Sequence, residues 1–470
     1  MFAPIDPETA AARTWDAILV GSSFASMFFL LGLPAGANVL IVEKGLLAPH
    51  VDQLNGARPK PETFRQRDPG PDPKPWVAHS MVGGNSNCWW GQVPRFQVSD
   101  FTLFEDHGRA APWPLRYGDI EGAYATVETV MEAAGDSETP GRQRPYPFPP
   151  HTMGRAEARA AEVFPQLWRA APTARSNGGA RPKCCANGVC SLCPVDAKFT
   201  ILNAVEKFNR PEVRMLTGVG AETVTYDGAR ASGVALHGGL KLRSGLVALG
   251  AGAIWNATIL LRSGLGLPAL GRYLHEQASI VRRYDVGHPG LFGGSSITAH
   301  YLGELDGPFR KVSASVLVES FTTGVPVRSE PGRWSDRMQV KFIAEDLPQP
   351  ENRVTLGPDG SPRITWNGHH PYALAGLSRA EARFSEALPF PIERLAAGWT
   401  SATEAHIQGT HRMGIDPETS VVGPELEVHG VRGLFALGSG AFPTCSAANP
   451  TLTLSALSLR AGRLAMGASR

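Results

Sequence analysis

The sequence predicts an α/β fold that begins with a buried parallel unit and carries a region of antiparallel strands later in the chain. Three observations lead there. Asp16–Val20 is a short apolar run followed by the turn Gly21-Ser22-Ser23-Phe24-Ala25-Ser26 and an apolar helical stretch, and a second run, Asn38–Val42, ends at Glu43. Runs of that kind are strands buried on both faces, as in a parallel sheet. Further on, Val312–Val318 and Met338–Ile343 have the composition and alternation of antiparallel strands. Finally, 470 residues with 43% hydrophobic content suffice for two or three domains, or for one large unit with an insertion, while 52 glycines and 39 prolines imply many tight turns. Residues 52–75 and 140–151 read as extended loops.

The first unit is a Rossmann-like βαβ. Its turn offers backbone N–H groups and a helix N-terminus to a pyrophosphate, with Gly21 and Ser23 nearest to it. Glu43, 22 positions after Gly21, stands where an acid accepts hydrogen bonds from a ribose diol. The fingerprint is degenerate, because Ser23 and Ser26 occupy two of the three glycine positions of G-x-G-x-x-G. On these residues alone, an ordinary α/β start without a nucleotide stays open. Lys+Arg total 45 against 43 for Asp+Glu, a net charge of +2. That is no footprint for nucleic acid or an anionic membrane. The richest apolar run, Met27–Leu33, has seven residues, far short of a transmembrane span. The first twenty residues have no basic region ahead of an apolar stretch, so we expect no signal peptide.

Four of the six cysteines, Cys184, Cys185, Cys190 and Cys193, fall within ten positions. A vicinal pair bridges itself only through a strained ring, and a chain of this size does not depend on disulfide staples. Structural zinc usually pairs two separated C-x₂-C knuckles, whereas one knuckle is present here, followed by Pro194. That C-x₂-C-P ending resembles the cysteine runs of ferredoxins. Iron–sulfur cluster, zinc and plain thiols or disulfides all remain open on the spacing.

The C-terminal region carries the most specific pattern. His406-x-x-Gly409-Thr410, Arg412-Met413-Gly414, Val428-His429-Gly430-Val431, Leu434–Ser439 and Asn449-Pro450-Thr451-x-Thr453 follow one another, with 43 positions from His406 to Asn449. Here the chain resembles the glucose–methanol–choline (GMC) family of flavin oxidoreductases. Gly83-Gly84-Asn85-Ser86 with Trp89, Trp113-Pro114, Leu249–Ala253 and Glu351–Val354 match as well, and Gly271–Gln277 looks most like the sugar-oxidising branch. The resemblance implies FAD as cofactor. It also implies a discontinuous FAD-binding domain, 1–283 and 401–470, with an inserted α+β substrate domain, 284–400, built on an antiparallel sheet. It places the catalytic base at His406 and its partner on the substrate oxygen at Asn449. Flavin contacts would come from Gly21, Ser23, Glu43, Gly83, Gly84, Ser86, Cys88, Gly438, Ser439, Pro450 and Thr451. Cys88 stands where some relatives link a histidine to the flavin; the expected state is a non-covalent flavin with Cys88 as packing. His79, His411, His429 and Cys445 read as structural.

Within that resemblance the cysteine run matches sugar dehydrogenases that hold a [3Fe–4S] cluster, with Cys184, Cys185 and Cys190 as ligands. Cys193 would be a fourth ligand of a [4Fe–4S] cluster or a bystander. The implied function is dehydrogenation of a sugar, glycoside or related alcohol, with electrons passing through the cluster to a cytochrome or quinone. Expected partners are a small helper subunit and a cytochrome c, and the expected location is cytoplasmic, or periplasmic by co-export with a signal-bearing partner. The alternative is an oxygen-using oxidase whose cysteines bind zinc or nothing.

Overall fold

The computed structural model describes residues 2–67, 74–138, 142–287, 295–321 and 336–467. Parts of the loops read at 52–75 and 140–151, and of the inserted segment 284–400, lie outside the described residues. The two apolar N-terminal runs form adjacent strands, Ala17–Val20 and Val39–Glu43, in a parallel sheet of six. Its spatial order is Ala3–Pro4, Val213–Thr217, Val39–Glu43, Ala17–Val20, Val247–Leu249 and Leu434–Ala436. Ile18, Leu19, Leu40 and Ile41 are fully buried, as strands covered on both faces require. The last strand arrives from the far end of the chain and pairs beside Val247–Leu249. This sheet is therefore discontinuous in sequence.

The helix Phe24–Gly32 leaves the first strand and packs against the C-terminal helix Thr451–Ala465. Two glycines set their separation. A Cβ on Gly32 would lie 2.6 Å from the Leu459 carbonyl oxygen, and one on Gly462 would lie 2.2 Å from that of Phe29. The C-terminal helix is also tied to the helix Tyr117–Met131, where the Tyr124 hydroxyl meets Thr453 Oγ1 at 2.8 Å.

A second sheet is antiparallel throughout, in the order Glu393–Thr400, Ala278–Asp285, Arg337–Ala344, Val316–Phe321, Ile297–Tyr301 and Trp168–Ala170. One face carries Ile280, Tyr284, Val340, Phe342, Val318, Ala299 and Trp168 into a core completed by the helices Pro371–Arg383 and Arg155–Val163. Period-two alternation sends Val281, Lys341, Glu319, His300 and Arg169 to the other face. The run at 312–318 becomes a strand only from Val316, because Val312 ends a 3₁₀ turn and is exposed. The sheet also reaches outside 284–400. It begins at Ala278 and takes an edge strand, Trp168–Ala170, from well before the insertion.

Candidate active site

A cavity of about 500 Å³ is lined by the first βα turn, the end of the second parallel strand and the polar face of the antiparallel sheet. At the turn, Gly21 has φ +90°, and a Cβ there would sit 2.8 Å from the Gly250 carbonyl oxygen, so glycine is required. Gly21 and Ser23 both line the cavity, and Ser23 precedes the first turn of the helix Phe24–Gly32. Glu43 lines it too. Its carboxylate accepts the Ser22 hydroxyl at 2.6 Å and the Gly45 N–H at 2.8 Å, while burial raises its pKa. Ser22 in turn accepts the Gly83 N–H at 2.9 Å. Sequence reasoning passed over Ser22, which ties the first βα turn to the Gly83-Gly84 loop.

Gly84, Cys88, Trp89 and Trp90 face the cavity from that loop. Gly83 and Ser86 stand behind it, Ser86 being fully buried and accepting the Ile201 N–H at 3.1 Å. Burial pushes the Cys88 thiol up, against the opposing effect of Arg58 and Lys198. Gly438, Ser439, Asn449, Pro450 and Thr451 complete the wall, and the helix Thr451–Ala465 begins at it. Its free first-turn N–H groups carry partial positive charge.

His406 opens onto the cavity from a loop that is fixed from behind. Glu276 is fully buried and pairs with Lys74; it also accepts the Thr403 hydroxyl at 3.1 Å and the Glu404 N–H at 3.3 Å. The His406 ring itself is oriented by Gln277. The amide Nε2 of Gln277 donates to the Ser446 and Ala448 carbonyls at 3.0 and 3.1 Å, which leaves its Oε1 to face His406 Nδ1 at 3.1 Å. An amide oxygen only accepts, so Nδ1 carries the proton and Nε2 has the free lone pair. Burial pushes the imidazole below the ordinary histidine value, although Glu404 and Glu319 favour its protonated form. For Glu404, burial alone would raise the carboxyl. The Lys341 ammonium at 3.0 Å, His406 and the Ser279 hydroxyl outweigh it and hold the group below the ordinary range.

The same Gln277 bonds hold the turn that carries Asn449. Ser446 donates to Asp100 at 2.6 Å, and the Trp113 indole N–H donates to Thr444 Oγ1 at 2.6 Å. Asn449 is 8% exposed, and its Oδ1 has no partner among the described residues. A buried amide with an open valence facing a cavity is a built receptor for a polar ligand atom. His411 lies apart from the cavity. Burial pushes it down to about 4, and its ring sits between Thr410 Oγ1 and the Leu437 carbonyl. His429 meets Ser420 Oγ at 2.9 Å and Cys445 is buried, while His79 does line the cavity.

The cysteine segment packs directly behind the Gly84–Trp90 loop. Lys198 Nζ donates to the carbonyls of Asn87, Trp89 and Ser191, and Arg58 donates to those of Asn87 and Ser191 at 2.9 Å. The sulfurs, however, have different surroundings. Cys184 Sγ accepts from the Arg175 guanidinium at 3.4 Å, Cys193 Sγ accepts the Ala197 N–H at 3.3 Å, Cys185 is exposed and Cys190 is buried. None of the four is in a disulfide. Among the described residues, no group of three or more His, Cys, Asp or Glu side chains is arranged to hold a metal ion. The expected ligand set of Cys184, Cys185, Cys190 and Cys193 is thus not supported, for an iron–sulfur cluster or for zinc.

Residues 348–458 match the family model described as GMC oxidoreductase. The chain is 24% identical over 432 residues to the fructose dehydrogenase large subunit of Gluconobacter japonicus, covering 81% of this chain and 79% of that one. It is 26% identical over 522 residues to 6'''-hydroxyparomomycin C oxidase of Streptomyces lividus, covering 98% and 92%. A C-glycoside 3-oxidase of Microbacterium trichothecenolyticum is 30% identical over 251 residues, 47% of each chain. Among solved structures, pyridoxine 4-oxidase from Mesorbium loti superposes with a TM-score of 0.69 at 14% identity, covering 97% and 99% of the two chains. Formate oxidase gives 0.69 at 13%, covering 100% and 99%. These two share the fold.

Proposed function

We propose that this chain, whose residues 348–458 match the GMC oxidoreductase model, is an oxidoreductase of that kind that oxidises an alcohol carbon of a sugar, glycoside or related polyol, with FAD as cofactor. The observation that carries this reading is the His406–Gln277–Asn449 arrangement: a base with a fixed tautomer and an amide with an open oxygen, both facing one cavity.

The residues present fit FAD. Gly21, at φ +90°, brings the first βα turn to the cavity wall, and two helix N-termini open on the cavity. Gly21 and Ser23 would take the pyrophosphate, and Glu43 the ribose. Gly84, Cys88, Gly438, Ser439, Pro450 and Thr451 would surround the ring system. When bound, the flavin accepts a hydride from the carbinol carbon. His406 Nε2 takes the hydroxyl proton, and its lowered pKa keeps it unprotonated at neutral pH. Gln277 holds the tautomer that makes this transfer feasible. The Asn449 side-chain N–H would donate to the substrate oxygen as charge develops on it, while the open Oδ1 accepts from a neighbouring substrate hydroxyl. Trp90, stacked on Phe321 at 5.1 Å, offers an apolar face beside the polar Glu319, Lys341 and Glu404, a mixture suited to a polyol.

We further propose a dehydrogenase that passes electrons to an external acceptor through a partner chain. The likeness to a dehydrogenase large subunit supports this. An oxygen-using oxidase is the second reading, favoured by the near full-length likeness to a named oxidase and by the cysteine arrangement. Turnover with ferricyanide or a cytochrome far above that with oxygen is expected, and equal rates select the oxidase. Iron and acid-labile sulfide analysis of anaerobically purified protein decides whether the cysteine segment holds a cluster.

A further inference from the structure

The antiparallel sheet places four ionisable side chains in one row across its polar face. Its register sets Lys341 opposite Glu319, Glu319 opposite His300, and His300 opposite Arg169. The row joins two cavities. Lys341 and Glu319 line the catalytic one. His300 and Arg169 line a second, of about 160 Å³, which also touches Ala448, next in sequence to Asn449. This second cavity reaches the surface at Val98 and Asp306, both more than half exposed.

Glu319 and His300 form the wall between the two. Their side chains are each 2% exposed, and Glu319 Oε1 lies 3.5 Å from His300 Nε2. Neither atom has a hydrogen-bond partner among the described residues. Two buried ionisable groups that face each other with open valences, each lining a different cavity, have no role in packing that an apolar pair would not fill better. The separation is just beyond a hydrogen bond.

We propose that Glu319 and His300 form the proton exit of the catalytic cavity. This rests on the reading of His406 as the base. In each turnover the substrate O–H bond breaks and its proton goes to His406 Nε2, while the C–H pair leaves as hydride to the flavin. His406 must lose that proton before the next cycle, and burial makes its ring a poor place to keep it. Glu319 accepts the proton across the catalytic cavity and passes it to His300 Nε2. His300 releases a proton from its other ring nitrogen into the second cavity. No electron moves in these steps. Charged groups flank the pair on both sides. Lys341 is held by Glu404 on the catalytic side. On the far side stand Arg169, Arg95 and Arg142, held by Asp136 and Glu128, and their positive field discourages a proton from resting there.

The test uses the FAD-loaded, full-length enzyme with a substrate alcohol, comparing His300→Gln and Glu319→Gln with the wild type. Anaerobic single-turnover flavin reduction reports proton uptake by His406, and steady-state turnover reports proton clearance. In His300→Gln we expect flavin reduction within about 3-fold of wild type and kcat lowered at least tenfold, with kcat restored by imidazole or formate in the buffer. In Glu319→Gln we expect kcat to fall at least as far, with a raised solvent isotope effect on kcat. Unchanged kcat in both variants, or a loss in His300→Gln that appears equally in single turnover and is not rescued, overturns the proposal. A wild-type enzyme whose flavin no alcohol reduces instead overturns the reading of His406 on which it rests.

Discussion

Replacing Gln277 tests whether the chemistry depends on one histidine tautomer. Its Oε1 is the acceptor 3.1 Å from His406 Nδ1. In Gln277→Met the buried N–H loses that acceptor, which costs about 1–3 kcal/mol. The ring escapes the cost by moving its proton to Nε2, the nitrogen that must receive the substrate proton. The reductive half-reaction should therefore slow about 5- to 150-fold, since about 1.4 kcal/mol is a factor of ten. Methionine also removes the donations to Ser446 and Ala448, which position the Asn449 turn. Gln277→Glu separates the two effects. It loses the same donations yet keeps an acceptor on Nδ1, and it adds a negative charge that raises the His406 pKa by about 1–3 units. A base whose pKa rises loses activity at a higher pH as the medium is acidified. Stopped-flow flavin reduction from pH 5 to 9 should show Gln277→Glu faster than Gln277→Met at alkaline pH, with its acid limb moved upward. Equal rates and identical pH profiles in the two variants would refute the tautomer argument.

Other expectations follow from groups placed by the fold. Glu157 is buried with Oε2 unpartnered, and burial raises its carboxyl to about 7. The unfolded chain ionises it near its ordinary value, so stability falls as pH rises from there through 7. Glu157→Gln should then gain ~1–3 kcal/mol in urea unfolding at pH 8 and under ~1 kcal/mol at pH 5; no gain at pH 8 would refute this. Gly462→Ala would put a Cβ 2.2 Å from the Phe29 carbonyl oxygen, against backbone that cannot yield. It should cost about 1–3 kcal/mol and release flavin at a lower temperature, measured by following flavin fluorescence on heating. In the wild type, burial lowers His406, so the acid limb of flavin reduction should lie below the ordinary histidine value. A limb above it would show that Glu404 and Glu319 dominate.

The parallel sheet was legible because its strands are short apolar runs flanked by the residues their turns require: Gly21 where a Cβ would strike Gly250, and Glu43 where a strand ends at the cavity. His406 and Asn449 were legible through the C-terminal pattern, and both line the cavity. What stayed hidden depends on contacts between distant segments. Gln277 and His406 lie 129 positions apart, and nothing in the glutamine's own surroundings announces a histidine partner. Ser22 sat beside the expected Ser23, and only the approach of the Gly83 loop gives it a role. The row His300–Glu319–Lys341 exists only in strand register. The cysteines show the reverse case: crowding in sequence does not fix where side chains point, and Arg175 and Ala197 engage Cys184 and Cys193 separately.

The central claim is that this cavity oxidises a polyol alcohol with His406 as the base. Its most direct test is anaerobic mixing of the FAD-loaded protein with a panel of sugars, glycosides and simple alcohols, with His406→Ala alongside. The account predicts that at least one sugar or glycoside bleaches the flavin of the wild type, and that His406→Ala binds flavin normally but is reduced at least 10²-fold more slowly. Reduction of the alanine variant at the wild-type rate, or a wild-type flavin that every polyol leaves oxidised, would contradict it.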